Sequence, residues 1–399
     1  MKRFLFLIIA LVLCFNLTGC GEKEETDVLN VYNWGEYISD GSEGSMDVNE
    51  AFKEYYKEKY GRNLELNYTT YASNEDMYNK IKSGGVNYDV IFPSDYMIAK
   101  MIDEDMLYKL DFSNIPNFKY IDDKYKNVYY DKSGEYTVPY FCGYVGIIYN
   151  QSLISDKLSD WDCLWNEKYS GQILQFNNPR DAFGTAMYSK QIDVNTTDRQ
   201  EWEESAKLLK QQKPLVQSYV MDEIFNKMKN GSAAIAPYYA GDFLSMYCDN
   251  EDLAFFYPQS GTNVFIDAMC IPKCSKNKTI AEEYINFFLT EEIAVANAEW
   301  VCYASPNTLV KDNPDYIESM TEIHEDAIEI LYPTSPVPST FYEKLDFETT
   351  DILNSLWEEL KIENSVEPWV YIFSGILVLS LVLLMTIRYA KRKIRERYY

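Results

Sequence analysis

The fold is decided by the stretch Val31-Tyr32-Asn33-Trp34-Gly35-Glu36-Tyr37. Residues 29–32 are apolar and rich in β-formers, which predicts a strand that breaks into a loop at the glycine. The loop carries an indole, a carboxylate and a phenol within four residues. Ring faces attract positive charge, and a carboxylate accepts hydrogen bonds from an ammonium group. The pattern is typical of a site for an organic cation, although aromatic residues at a strand end also serve as plain packing.

Strands and helices alternate after this stretch. Helices are predicted over 49–60, 74–82 and from about 97, and strands over 64–68 and 88–92. This order predicts a parallel sheet covered by helices on both faces. In such sheets ligands bind beyond the carboxyl ends of the strands, so loop 34–37 and loop 94–96 are expected to meet.

The second half of the chain repeats the alternation. Strands are predicted over 136–140, 144–149, 172–176, 232–237, 253–257 and 263–271, and helices over 161–168, 182–191, 199–211, 221–229, 279–288, 291–298 and 347–360. We expect two α/β lobes, one from 29–137 with 264–310 and the other from 138–263 with 311–361. Chain crossings near 137–142 and 258–264 would let the lobes close on a ligand by a hinge motion.

The amino end predicts export. Lys2 and Arg3 precede an apolar run, 4–13, that is too short for a membrane span, and Leu17-Thr18-Gly19-Cys20 follows it. This ending resembles the lipobox of bacterial lipoproteins. The resemblance implies a signal peptide over 1–19, lipidation of Cys20 and a tether over 20–28. An ordinary signal peptide with an incidental cysteine is the alternative.

The carboxyl end predicts a membrane span. Residues 369–387 contain no charged side chain and are long enough to cross about 30 Å of hydrocarbon. The six basic residues of the tail, 388–399, are expected in the cytoplasm by the positive-inside rule. A buried core helix is the alternative. The bulk of the chain is then expected on the outer face of the cytoplasmic membrane, extracellular or periplasmic, anchored at both ends.

The composition excludes several classes of function. A formal net charge of −25 disfavours nucleic acid and favours cationic partners. The only histidine, His324, gives poor support to a Ser-His-Asp or Cys-His enzyme. Cys270 and Cys274 lack a second pair of ligands, so neither a metal nor a cofactor is predicted. The six cysteines of the exported region are too few for a disulfide scaffold, and their pairing stays open.

Six short motifs occur in order along the chain. They are 32–37, 70–78, 88–96, Val138-Pro139-Tyr140, Phe265-Ile266-Asp267 and Tyr303-Ala304-Ser305-Pro306-Asn307. The series resembles the spermidine/putrescine-binding proteins of bacterial polyamine ABC transporters, over residues 29–361. The resemblance implies a two-lobed periplasmic-binding-protein fold of type II with the ligand in the cleft. It also implies capture of a polyamine and its delivery to ABC permease subunits, without catalysis.

The resemblance implies a set of ligand-binding side chains. They are Trp34, Glu36, Tyr37, Ser94, Tyr96, Asp181, Tyr239, Asp242, Phe265, Asp267, Tyr303 and Glu343. Trp34 and Tyr37 would flank the polyamine, Asp181 would pair with an ammonium group, and Asp267 would hold an internal amine. Asp267 is also expected to need a partner on its own account, because it is an acid among apolar residues of a strand.

Three positions depart from the spermidine-type pattern. Asn178 stands where that type has an acid, and Tyr239 and Phe265 stand where it has tryptophan. Together with Asp242 and Asp267, these residues are closer to the putrescine type. The alternatives are another organic cation on the same fold and a membrane sensor of polyamines. An enzyme that uses Asp181 and Asp242 as paired carboxylates has no motif to support it, so no catalytic residue is predicted.

Overall fold

Three parallel strands form the first sheet of the computed structural model, which describes residues 26–362 and 368–398. β1 (Thr26–Trp34) lies between β2 (Asn63–Tyr71) and β3 (Val90–Ile91). The helices α1 (Val48–Tyr60), α2 (Asn74–Lys82) and α3 (Asp95–Asp103) follow the three strands in turn. Ser73 caps α2 through a hydrogen bond from the Asp76 amide. The predicted β-α order of this region is therefore present, with α2 at its predicted bounds.

The second sheet is mixed. Its strands are β4 (Val138–Asn150), β5 (Ile173–Phe176), β6 (Val216–Val220), β7 (Ile235–Tyr239), β8 (Leu253–Phe256), β9 (Thr262–Met269) and β10 (Ser339–Phe341). Their order is β10-β9-β4-β7-β5-β6, and β8 also pairs with β4. β5 pairs in parallel with β6 and β7, whereas β4 is antiparallel to β7, β8 and β9.

Helices cover this sheet and continue to the carboxyl end. They are α4 (Pro179–Ser189), α5 (Arg199–Gln212), α6 (Glu223–Lys229), α7 (Ala240–Tyr247), α8 (Lys278–Phe288), α9 (Glu291–Val301), α10 (Thr308–Lys311), α11 (Pro314–Ile323), α12 (Ala327–Leu331), α13 (Phe347–Ile362) and α14 (Pro368–Tyr398). The predicted helix over 161–168 is instead two short 3₁₀ turns. The largest fully buried side chains include Trp161 and Trp202 under this layer and Tyr284 on α8.

The antiparallel pair of β4 and β9 connects the two sheets. At one end Ile91 of β3 forms a bridge with Cys270, and Ser94 forms one with Asp267. At the other end β4 pairs with β7. The pair therefore runs from one lobe into the other, near the predicted crossings. The predicted lobe boundaries themselves remain a prediction.

Membrane attachment was predicted at both ends of the chain. Residues 369–387 lie in α14, but basic residues fill its last third. A span needs about 20 apolar residues, and within 26–362 and 368–398 no helix is both long and apolar enough to cross a membrane. The predicted transmembrane helix is therefore wrong, and the predicted anchoring at both ends is not supported. The predicted signal peptide and Cys20 lie outside the described residues.

Candidate functional site

Loops from both lobes converge on one cavity. From the first sheet they follow the carboxyl ends of β1, β2 and β3, and from the second sheet those of β5, β6 and β7. This is the edge at which open α/β sheets bind ligands. The space open to the centre of a water molecule is about 70 Å³, and about 10–15 Å³ is needed for one water. The cavity therefore has room for several waters or a slim chain-like molecule.

The side chains that line the cavity are acidic and aromatic. The acids are Glu36, Glu75, Asp95, Asp181, Asp222, Asp242 and Asp267, and the rings are Trp34, Tyr37, Tyr96, Phe225, Tyr238, Tyr239, Phe265, Tyr303 and Tyr342. Among the described residues, no lysine, arginine or histidine lines it. The cavity thus has the chemistry of a cation site with apolar walls.

Four tyrosine–carboxylate pairs organise these walls. Each tyrosine hydroxyl donates to one carboxylate oxygen and leaves the other oxygen of that acid for a different partner. The pairs are Tyr37 with Asp267 at 2.6 Å, Tyr239 with Asp181 at 2.6 Å, Tyr303 with Asp242 at 2.9 Å and Tyr96 with Glu75 at 3.0 Å. All four acids are therefore held in place by rings that also line the cavity.

Asp267 lies on β9, in the pair of strands that joins the lobes. Its carboxyl group is buried, and burial raises its pKa to about 6, opposed by hydrogen bonding to Ser94 and Tyr37. Oδ2 accepts from Tyr37, whereas Oδ1 has no hydrogen-bond partner in the described part of the chain. A buried carboxylate in this state is destabilising unless a cation pairs with it.

Asp181 projects from the first turn of α4. Asn178 caps that helix by accepting from the Asp181 amide at 2.8 Å, and its own amide nitrogen donates to Asp181 Oδ2 at 2.7 Å. Burial raises the pKa of Asp181, opposed by hydrogen bonds from Tyr239 and Asn178. The side chain of Asn178 is therefore used to orient Asp181.

Asp242 projects from the first turn of α7. Burial raises its pKa well above the ordinary value, and the charges of Asp222 and Glu36 raise it further. Tyr303 reaches Asp242 because Gly241 has no side chain. A Cβ at that position would overlap the Tyr303 ring and lie 2.7 Å from the Cys302 carbonyl oxygen.

Trp34 and Tyr37 form an aromatic wall at the end of β1. The Trp34 indole donates to the Phe92 carbonyl at 2.8 Å and lies 4.7 Å, centroid to centroid, from the Tyr71 ring. The Tyr37 ring lies 5.3 Å from that of Tyr303, edge to face. Trp34 is thus held by Tyr71 and Phe92 outside the cavity, and Tyr37 by Tyr303 of the cavity wall.

Eleven of the twelve predicted side chains line this one cavity. The exception is Glu343, which is exposed, while its neighbour Tyr342 lines the cavity. Glu36 lines the cavity only at its rim, where it is exposed and has a backbone φ of 51°. Binding by these residues stays a prediction, but their convergence is a property of the structure.

Several polar residues of the cavity were not predicted from sequence. Among them, Glu75 and Asn263 each hold a buried oxygen without a hydrogen-bond partner among the described residues. Asp222 contacts Gly35 from the other lobe. Asp95 accepts from the backbone amides of Tyr96 and Ile266, and burial raises its pKa to about 8. Glu75 had a usable signal, because it follows β2 as Ser94 follows β3.

Two lobes joined by paired strands, with a ligand-sized acidic cavity between them, are typical of a solute-binding protein. Residues 87–321 match the family of bacterial extracellular solute-binding proteins. The chain belongs to that family, and the resemblance predicted from the six motifs is confirmed. The prediction of a binding protein rather than an enzyme is confirmed with it.

Individual relatives agree with this assignment. A spermidine/putrescine-binding periplasmic protein of Salmonella typhimurium is 31% identical over 292 residues, 72% of this chain and 80% of the relative. A spermidine/putrescine ABC transporter substrate-binding protein from Streptococcus pneumoniae, solved with calcium and HEPES, is 34% identical with a TM-score of 0.66. A lipoprotein of Treponema pallidum is 25% identical with a TM-score of 0.68. Both structural matches cover 84% of this chain and 99% of the other.

Proposed function

We propose that this chain captures polyamines outside the cytoplasm and delivers them to the permease of an ABC importer. The observation that carries the proposal is a set of three buried acceptor oxygens without partners in the described structure. They are Glu75 Oε2, Asn263 Oδ1 and Asp267 Oδ1, and all three residues line the cavity. Buried acceptors need donors, and in an acidic cavity without basic side chains a polyammonium ligand supplies them. The relatives' names support the same ligand class.

The energetics of such a complex are adequate. Stacking of a cation on an aromatic ring contributes about 0.5–2 kcal/mol, and a charge-assisted hydrogen bond contributes roughly 1.5–3 kcal/mol. Micromolar affinity requires about −8 kcal/mol. Two or three of the tyrosine-paired carboxylates with two or three rings reach that value after ordering costs. The methylene segments between the amines would pack on Trp34 and Phe265.

Calorimetry on the purified chain tests the proposal directly. We expect saturable binding of at least one among putrescine, cadaverine, spermidine and spermine. Absence of heat with all four, from protein shown to be folded by its thermal transition, would refute it. The same titration with a neutral diol of matched length should show no binding, because a diol carries no charge for the carboxylates.

We also propose that a lipid on Cys20 anchors the protein to the membrane. The Leu17-Thr18-Gly19-Cys20 ending of the export signal and the lipoprotein named from Treponema pallidum support a lipid on Cys20. Labelling of cells with an alkyne fatty acid should mark the chain and should fail with Cys20→Ala. Equal labelling of both would refute the anchor and leave the binding function untouched.

Another organic cation on the same site is the second candidate. It is favoured by Asn178 and Tyr239, which depart from the spermidine type. A thermal-shift screen of quaternary amines, guanidines and polyamines separates the two. The second candidate is correct if another cation raises the melting temperature more than any polyamine at equal concentration.

A further inference from the structure

Glu75 occupies one end of the row of tyrosine-paired carboxylates. It lies in the first turn of α2, and its Oε1 accepts from the Tyr96 hydroxyl at 3.0 Å. Its Oε2 is buried and has no partner among the described residues. Burial raises its pKa, and the nearby Arg180 charge acts in the opposite sense. An oriented, buried acceptor is thus available at this position.

Contacts between the walls give the order of the four acids along the cavity. Glu75 is bonded to Tyr96, whose ring centroid lies 6.3 Å from that of Tyr342, and Tyr342 lies close enough to Asp181 to oppose the rise in its pKa. Tyr239, bonded to Asp181, has its ring centroid 5.4 Å from that of Phe265.

Phe265 in turn lies 6.1 Å from Tyr303, the partner of Asp242. Tyr37, the partner of Asp267, contacts the same Tyr303 ring. Along this series of contacts Glu75 comes first, Asp181 follows and Asp242 is last, while Asp267 is also linked to the Glu75 end through Ser94, whose amide donates to Asn74.

Ser73, Glu75 and Tyr96 also line a second cavity, of about 450 Å³, which Lys100, Arg180 and Lys344 line as well. These basic side chains repel an ammonium group, so Glu75 marks the end of the acidic part of the site. A shorter ligand held by Asp181, Asp267 and Asp242 would not need to extend to Glu75.

Asn178 carries no charge and is already bonded to Asp181. Its Oδ1 accepts from the Asp181 amide, and its nitrogen donates to the Asp181 carboxylate. Glu75 lies on the opposite lobe, lines the same cavity and carries a carboxylate oxygen without a partner among the described residues.

We propose that Glu75 binds the terminal ammonium of a linear triamine and thereby selects triamines over diamines. The inference rests on the proposed function. A diamine has two ammonium groups, which Asp181, Asp267 and Asp242 satisfy. The third ammonium group of a triamine then reaches the free oxygen of Glu75, with Tyr96 holding the carboxylate in place.

Calorimetry with spermidine and putrescine on wild type, Glu75→Gln and the control Glu58→Gln tests this selection. Glu58 is an exposed acid on α1, remote from the cavity lining. We expect Glu75→Gln to weaken spermidine binding at least tenfold and putrescine binding less than threefold. Glu58→Gln should leave both affinities within twofold of wild type.

The ratio of the two affinities is the decisive quantity, because a general structural defect lowers both together. Equal losses for spermidine and putrescine, or no loss, would overturn the role of Glu75. If Glu75→Gln does not fold, Glu75→Asp keeps the charge but withdraws it by one methylene, and the same change of ratio is expected. Wild type that binds neither polyamine would instead refute the proposed function.

Discussion

Asp267 is a candidate binding residue that the fold holds in an unfavourable state. It is a buried acid on the strand pair between the lobes, with one oxygen bonded to Tyr37 and the other without a partner in the described structure. The same burial that raises its pKa to about 6 makes it a strong partner for an ammonium group, since charges attract more strongly where water is excluded. Stability and affinity therefore oppose each other at this residue.

Replacement of that acid gives the first prediction. Asp267→Asn should weaken polyamine binding by 10- to 100-fold or more, because it removes a charge-assisted bond of roughly 1.5–3 kcal/mol. Glu325→Gln, at an exposed position outside the cavity, should change the affinity less than twofold. Calorimetry measures both. Equal effects of the two substitutions would contradict the assignment of Asp267.

Side chains at the ends of clearly apolar strands could be placed at the cavity from sequence. Trp34, Tyr37, Ser94 and Tyr96 lie at or just after the carboxyl ends of β1 and β3. Asp222 could not be placed in this way, because it follows β6, a strand that was not predicted.

The strand pair of β4 and β9 is the element on which the site depends. The sequence predicted two strands, 136–140 and 144–149, separated at Gly143, but β4 is continuous from Val138 to Asn150. Gly143 is required for packing rather than for a break, because a Cβ there would lie 3.0 Å from the Phe265 ring. A glycine that ends a strand and one that admits a ring look alike until the neighbouring strand is known.

The other helices and strands could be predicted from their local sequence to different degrees. α2 was predicted at its exact bounds because Ser73 caps it and a glycine pair follows it. β6 was missed because its sequence, Val-Gln-Ser-Tyr-Val, is half polar and only partly buried. β10 is three residues long and was not predicted. Short or half-exposed strands carry too little periodicity to be recognised without their partners.

A substitution at the start of α7 tests how closely this helix packs on its neighbours. Gly241→Ala should lower the free energy of unfolding by about 1–3 kcal/mol, because the new Cβ overpacks against Tyr303 and the Cys302 carbonyl. It should also weaken polyamine binding, since Tyr303 orients Asp242. Urea unfolding and calorimetry measure the two effects. The control is Gly375→Ala on α14, where a Cβ meets no atom within 4 Å, and a similar loss of stability in both variants would contradict the packing argument.

Across the whole molecule, acidity acts at two distances. The net charge of −25 attracts cations toward the protein at long range, an effect that salt screens. Inside the cavity, burial raises the pKa of Glu75, Asp95, Asp181, Asp242 and Asp267. The unliganded protein therefore holds protons on these groups at pH values where the unfolded chain has released them.

The sign of the resulting pH dependence follows from linkage. A carboxyl group whose pKa is raised by folding binds more protons in the native state than in the unfolded state, so stability falls as pH rises. The loss begins above the ordinary pKa of aspartate, near 4, and continues to the folded values, about 6 for Asp267 and about 8 for Asp95. The unliganded protein should thus be more stable at pH 5 than at pH 8.

A bound polyamine should reverse this dependence, because its ammonium groups pair with the ionised carboxylates and so favour release of their protons. We expect the melting temperature without ligand to fall between pH 5 and pH 8, and the gain in melting temperature from saturating polyamine to increase over the same range. Asp267→Asn should flatten the fall without ligand, since it removes one of the titrating groups, and should lose most of the gain. Thermal unfolding of wild type and variant across this range, at fixed ionic strength, measures all of these quantities. A melting temperature that rises from pH 5 to pH 8 without ligand would contradict this prediction. It would show that the acids of the empty cavity are already ionised and do not release protons on binding.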